Sequence, residues 1–216
     1  MKKMKKSIYV IALSVLFLSA CKNDKKPAES KEAPTQEMHM EEADAHDHGD
    51  HDHDASKSES SSKEDRGITA TTEKSNATSA IIDGYLQIKN ALVADNKDGA
   101  AEAGTVLLTA FSNFDMKQLT EDQHKEYMEI VENAKEQAEH IVKSPIDHQR
   151  EHLEVLSNDV NDLIALLGTD KTLYQVFCPM ANGGEGAMWL SEIEAIKNPF
   201  YGSKMLKCGK VQKKIN

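Results

Sequence analysis

Near the C-terminus, Cys178-Pro179-Met180, Met188 and Met205-Leu206-Lys207-Cys208-Gly209 bring two thiols and three thioethers into a short stretch of chain. Thiolate and thioether sulfur select Cu(I) and related soft ions, whereas carboxylate and water suit magnesium or calcium. Cys178, Met180, Met188, Met205 and Cys208 are therefore candidate ligands for copper as Cu(I), or for silver. The same residues have a plainer use, because two cysteines in an exported protein pair as a disulfide and methionines fill gaps in cores. A Cys178–Cys208 bond would stabilise the chain by about 3 to 4 kcal/mol on the chain-entropy account. Both readings stay open at this point.

A second set of ligands is made of nitrogen. Met38-His39-Met40 is followed by His46, His48, His51 and His53, interleaved with Asp44, Asp47, Asp50, Asp52 and Asp54. Neutral imidazole binds copper, zinc and nickel, and neighbouring carboxylates add charge and oxygen donors. Such a tract suits capture or buffering of a metal ion, since catalysis needs ligands held in fixed geometry. Further on, His148 and His152 stand four apart, share a helix face and offer two ligands to one ion. A third ligand from His124 or His140 cannot be assigned by spacing.

The compartment is set by the N-terminus. Lys2, Lys3, Lys5 and Lys6 precede an apolar run from Ile8 to Leu18 that is too short to span a membrane comfortably, the pattern of a signal peptide. It ends in Leu18-Ser19-Ala20-Cys21, a box like that of bacterial lipoproteins, so residues 1–20 are expected to be removed and Cys21 to carry the lipid. The mature protein is then anchored in the cell envelope, on the periplasm-facing side. Only Cys178 and Cys208 remain as thiols. Removal of four lysines moves the formal charge from −10 to about −14, which argues against nucleic acid as a partner because phosphate binding needs clustered Lys and Arg.

These ligands must be positioned by what lies between. Residues 21–76 are poor in large apolar side chains and read as a disordered tether with a reach on the order of 40 Å. Helical periodicity begins near Thr78. Ile81, Ile82, Tyr85, Ile88 and Leu92 form a first stripe, broken at Asp95-Asn96, and a second helix is expected over 97–113, with Gly99 and Gly104 implying close packing or a weaker helix. Thr120 with Gln123 makes a capping box for a third helix, and Ser144-Pro145 is read as N-cap and first residue of a fourth that Gly168 ends. Gln149 falls near the buried stripe, where its amide must find partners, and Arg150 is expected to pair with an acid at the surface. The fold class is all-α, an antiparallel four-helix bundle over 77–168 with residues 169–216 as an irregular Cys/Met cap, including a short extended run at Tyr174 to Phe177 and a helical turn near 191–196.

Tyr174, Cys178-Pro179-Met180-Ala181, Trp189-Leu190-Ser191, Asn198-Pro199-Phe200-Tyr201-Gly202 and Met205-Leu206-Lys207-Cys208-Gly209 carry a resemblance, supported by Asp95, Gln149-Arg150 and Leu156-Ser157 in the helices. The chain resembles a helical domain of unknown function that occurs in bacterial lipoproteins and at the C-terminus of CusB-type periplasmic adaptors of copper and silver efflux. The Cys-Pro-Met element is also similar to short heavy-metal-binding modules, from which it departs in the spacing of Tyr174 to Cys178, in Ala181, and in Met205 preceding Cys208. The resemblance implies metal tolerance, with an efflux adaptor or copper chaperone as partner.

Nucleophile elbows, phosphate-cradling glycine loops and a helical His-Glu-x-x-His are all missing from the sequence. The expectation is a binding protein and not an enzyme. Its ligand is copper, with zinc or silver as alternatives, held for sequestration or hand-off. The competing expectation is an envelope interaction module with a Cys178–Cys208 disulfide and the His-rich tract as spacer.

Overall fold

The computed structural model describes residues 66–68 and 70–215. Cys21, the tether and the tract from His39 to His53 lie outside them. Four helices follow one another: α1 (Ser79–Val93), α2 (Lys97–Ser112), α3 (Glu121–Lys143) and α4 (Ile146–Leu167). The apolar stripe read for the first helix is buried. Ile81, Ile82, Tyr85, Ile88 and Leu92 of α1 meet Leu107 of α2, Ile130, Ala134 and Ile141 of α3, and Leu153, Leu156, Val160 and Leu163 of α4 in one core. Close approach is a requirement at Gly104, where a Cβ would sit 2.9 Å from Val142 Cγ2 and 3.3 Å from the Ala138 carbonyl, so α2 lies against α3 only because that side chain is absent.

The helix ends follow local chemistry. Asn96 Oδ1 accepts from Gly99 N at 3.0 Å and caps α2. Thr120 and Gln123 bond reciprocally at 3.1 and 3.2 Å in the expected capping box. The next boundary shifts by one residue. Proline forces its predecessor into extended backbone, and both Ser144 (ψ 159°) and Pro145 (ψ 161°) are extended, so α4 starts at Ile146 and the Ser144 hydroxyl is too far out to cap it. Gly168, at φ 77°, ends α4 in a conformation that a side chain would strain. A strap from Arg66 runs along α4, with Thr71 N donating to Ala165 O at 2.8 Å and the Arg66 guanidinium bonding Asp159 and Asp162 at 2.9 and 2.8 Å.

The C-terminal part corrects the all-α expectation. It holds a three-stranded antiparallel sheet, β1 (Leu173–Cys178), β2 (Ala187–Ser191) and β3 (Lys210–Ile215), in the order β2-β1-β3. Val176 lies opposite Trp189 on one side and Val211 on the other, with a bulge between Gln175 and Val176. Residues 192–195, expected to form a helical turn, are a series of bends. A small second core of Val176, Cys178, Ala181, Ala187 and Trp189 fills the cap, and Phe200 meets Trp189 edge-on at 5.8 Å.

Two buried polar devices tie the sheet to the helices. The Ser157 hydroxyl donates its one hydrogen to Leu153 O at 2.6 Å, so it accepts from Tyr85 Oη at 2.8 Å, and Tyr85 Oη accepts from Leu190 N at 3.0 Å. Burial pushes the Tyr85 phenol up to about 12, which keeps it a donor. Arg150 is buried at 8 % exposure and not at the surface as expected. Its guanidinium donates to Pro199 O at 3.0 Å, Leu92 O at 3.2 Å and Asp95 Oδ1 at 2.5 Å, joining the end of α1, α4 and the cap. Gln149, fully buried, donates to Lys97 O and Ile141 O at 3.1 and 2.8 Å. No helix among the described residues is long and apolar enough to cross a membrane.

Candidate metal centre

The two-residue joint at Ser144-Pro145 turns the chain back, so the last turn of α3 faces the first turns of α4. His140 belongs to that last turn, and His148 and His152 to the first two turns of α4. One nitrogen from each of the three imidazoles lies within 4.8 Å of the others. It is the one such grouping of three or more His, Cys, Asp or Glu ligands among the described residues. His124, in the first turn of α3, is sixteen residues from His140, about 24 Å along the helix axis, and takes no part.

His148 Nε2 and His152 Nε2 are 3.0 Å apart with the rings nearly perpendicular, at 88°. His148 Nδ1 meets Glu151 Oε2 at 2.7 Å, and His152 Nδ1 meets Gln137 Oε1 at 2.7 Å. His140 stacks on His152 at 4.3 Å with planes 15° apart. Stacked rings aim their in-plane lone pairs side by side, so His140, which is exposed, must turn its ring to join an ion held by the other two. Burial first, and then the neighbouring His140 and His148, lower His152 to about 4. It is therefore neutral at neutral pH, the state a metal ligand must have.

The sulfur candidates have a different fate. Cys178 and Cys208 are joined in a disulfide, with Cα atoms 5.7 Å apart. Cys178 is fully buried. A bonded sulfur has no thiolate to give a metal, so the five-sulfur set read from the sequence is not available in this form. Met180 is 53 % exposed, Met188 lies in β2 opposite Phe177, and Met205 follows the short turn after Gly202. Of the expected ligands among the described residues, the structure brings His148 and His152 together with His140, and joins Cys178 to Cys208 as a disulfide.

The DUF3347 family model, described as a protein of unknown function, matches residues 81–172. Over those residues the chain is similar to that family. The DUF3347 segment holds all four helices from their core onward and all three histidines of the cluster, and it ends before β1, so the disulfide and the sheet lie beyond it. No curated protein and no solved structure matches the chain.

Sequence reasoning left His140 undecided against His124 and missed Gln137. A signal existed: Asn133, Gln137 and His140 recur at helical spacing beside the buried stripe of Ala134, Ala138 and Ile141.

Proposed function

We propose that this is a metal-binding protein of the cell envelope, lipid-anchored through Cys21 and periplasm-facing, that holds copper or zinc at the α3–α4 head for sequestration or hand-off to an efflux adaptor or chaperone. The observation that carries the reading is the convergence of His140, His148 and His152. Three imidazole nitrogen donors suit copper and zinc, and two of them already stand close to the spacing of neighbouring ligands, about 3.3 Å for a tetrahedral ion with 2.0–2.1 Å bonds. The tract from His39 to His53 supplies a second, looser population of the same ligand type, in keeping with capture before transfer to the head.

The test uses the full chain with His39→Ser, His46→Ser, His48→Ser, His51→Ser and His53→Ser, which silences the tract. Titration with Zn²⁺ or Cu²⁺ against a chromophoric chelator is expected to show one equivalent bound, and His148→Ala or His152→Ala to weaken it by about 10- to 100-fold. Equal and weak competition by all three chains would overturn the reading. A second reading, a non-metal envelope interaction module, is favoured by one observation, the Cys178–Cys208 disulfide. In it the cap is a stabilised docking surface and the tract a spacer. It predicts that metal leaves the melting temperature of the tract-silenced chain unchanged.

A further inference from the structure

We infer that Gln137 is a positioning residue that fixes Nε2 as the ligand atom of His152, so that the cluster presents a face of Nε2 lone pairs suited to a borderline divalent cation, Zn²⁺ or Cu²⁺. The inference rests on the metal-binding reading above and adds which atoms bind and what holds them.

The direction of a hydrogen-bond chain decides it. At the far end Arg66 can only donate, and Asp159, 1 % exposed, accepts from its Nη1 at 2.9 Å. Asn133 Nδ2 donates to the two oxygens of the same carboxylate at 3.1 and 2.9 Å. With its amino group spent there, Asn133 turns its carbonyl to Gln137, whose Nε2 donates to Asn133 Oδ1 at 3.3 Å. Gln137 therefore turns Oε1 to His152 Nδ1 at 2.7 Å, and a carbonyl oxygen only accepts. The Nδ1 of His152 must carry the proton. A neutral imidazole has one N–H, so Nε2 carries the lone pair. His148 reaches the same state by a shorter route, since the Glu151 carboxylate accepts from its Nδ1.

Two lone pairs then face each other across 3.0 Å. That contact is repulsive unless a metal cation or a proton lies between them. A bundle that needed only packing would place apolar side chains along this groove, yet four polar ones run through it, and every member is satisfied except the nitrogens at its end. Partners of this kind orient ligating histidines and raise their basicity, and their loss costs about 10- to 100-fold in metal affinity.

The test again uses the full, tract-silenced chain. Long-range ¹H–¹⁵N correlation of the metal-free protein is expected to show His152 as the Nδ1–H tautomer; an Nε2–H tautomer there overturns the inference before any variant is made. Gln137→Met keeps length and removes the acceptor, and it is expected to mix the tautomers and weaken Zn²⁺ binding by about 10- to 100-fold, while Gln137→Glu keeps the acceptor and restores affinity. If Gln137→Met matches the parent in both affinity and tautomer while His152→Ala loses the metal, the site stands and the positioning role falls. If the parent itself competes no better than His152→Ala, the metal reading falls and this inference with it. Binding of a shared proton only, seen as one proton titrating between His148 and His152 with no Zn²⁺ uptake, has the same consequence.

Discussion

The head of the α3–α4 pair and the C-terminal cap both concentrate potential metal ligands, and they dispose of them in opposite ways. In the cap the two strongest ligands in the sequence, Cys178 and Cys208, satisfy each other in a covalent bond beside a buried tryptophan. At the head, three weaker ligands keep their nitrogens unspent, and a line of polar partners from Arg66 to Gln137 aims one of them. Density of ligand types is therefore a poor guide to a site. What counts is whether the donor atom still has a lone pair to give once local partners have taken theirs.

The largest effect that would sharpen this contrast comes from the cap. Replacing both cysteines, as Cys178→Ser with Cys208→Ser, is expected to lower stability by about 3 to 4 kcal/mol in urea unfolding, and to leave Zn²⁺ affinity of the tract-silenced chain unchanged within twofold. A fall in affinity parallel to the fall in stability would break the contrast and return the sulfurs to the site. Arg150→Met comes next. It removes donors from the buried Pro199 and Leu92 carbonyls and takes the ion-pair partner from Asp95, which keeps its bond from Ser203 N, so a loss of about 3 kcal/mol is expected, with increased amide exchange in both the cap and the end of α1. Tyr85→Phe breaks one tie between the cap and the helices. It leaves Leu190 N without its acceptor and should cost about 1 to 2 kcal/mol, seen as faster exchange in β2 while α3 stays protected.

The smallest effect is the acid limb. Hydrogen bonds from Ser203, and then from Arg150, hold Asp95 at about 2, below its ordinary 3.8. A carboxylate lowered on folding contributes stability that is complete above its unfolded value and is lost as pH falls through the folded one. The chain should therefore lose stability between pH 4 and 2, and Asp95→Asn should flatten that limb. Asp95 sits at φ 55°, a conformation asparagine tolerates, so thermal melts of this variant across that range read the charge and not the backbone.

The helical half was legible because its signals are local. Stripes such as Ile81, Tyr85, Ile88 and Leu92 repeat at the helical period, and Thr120 with Gln123 marks a start that the structure reproduces. Ser144 shows the limit of such local reading: the residue type was right for a cap, and the restriction proline puts on its predecessor moved the boundary by one. Of the sheet only the extended run at Tyr174–Phe177 was legible, because β1 pairs with residues 9–17 and 33–42 positions away in sequence and β3, Lys210-Val211-Gln212-Lys213-Lys214-Ile215, is mostly charged and polar on an exposed edge. Arg150 was misplaced at the surface because its partners are backbone carbonyls of distant segments, which no pattern in the sequence displays. His140 waited on the same kind of information. Its partnership with His148 and His152 follows from the turn between α3 and α4 and not from the helix on which it lies.

The most direct measurement is X-ray absorption at the copper edge on the full, tract-silenced chain loaded with one equivalent of copper, its disulfide intact. A first shell of nitrogen with the outer-shell scattering of imidazole rings and no sulfur is expected. A sulfur shell, or failure to retain the equivalent through gel filtration, would contradict it.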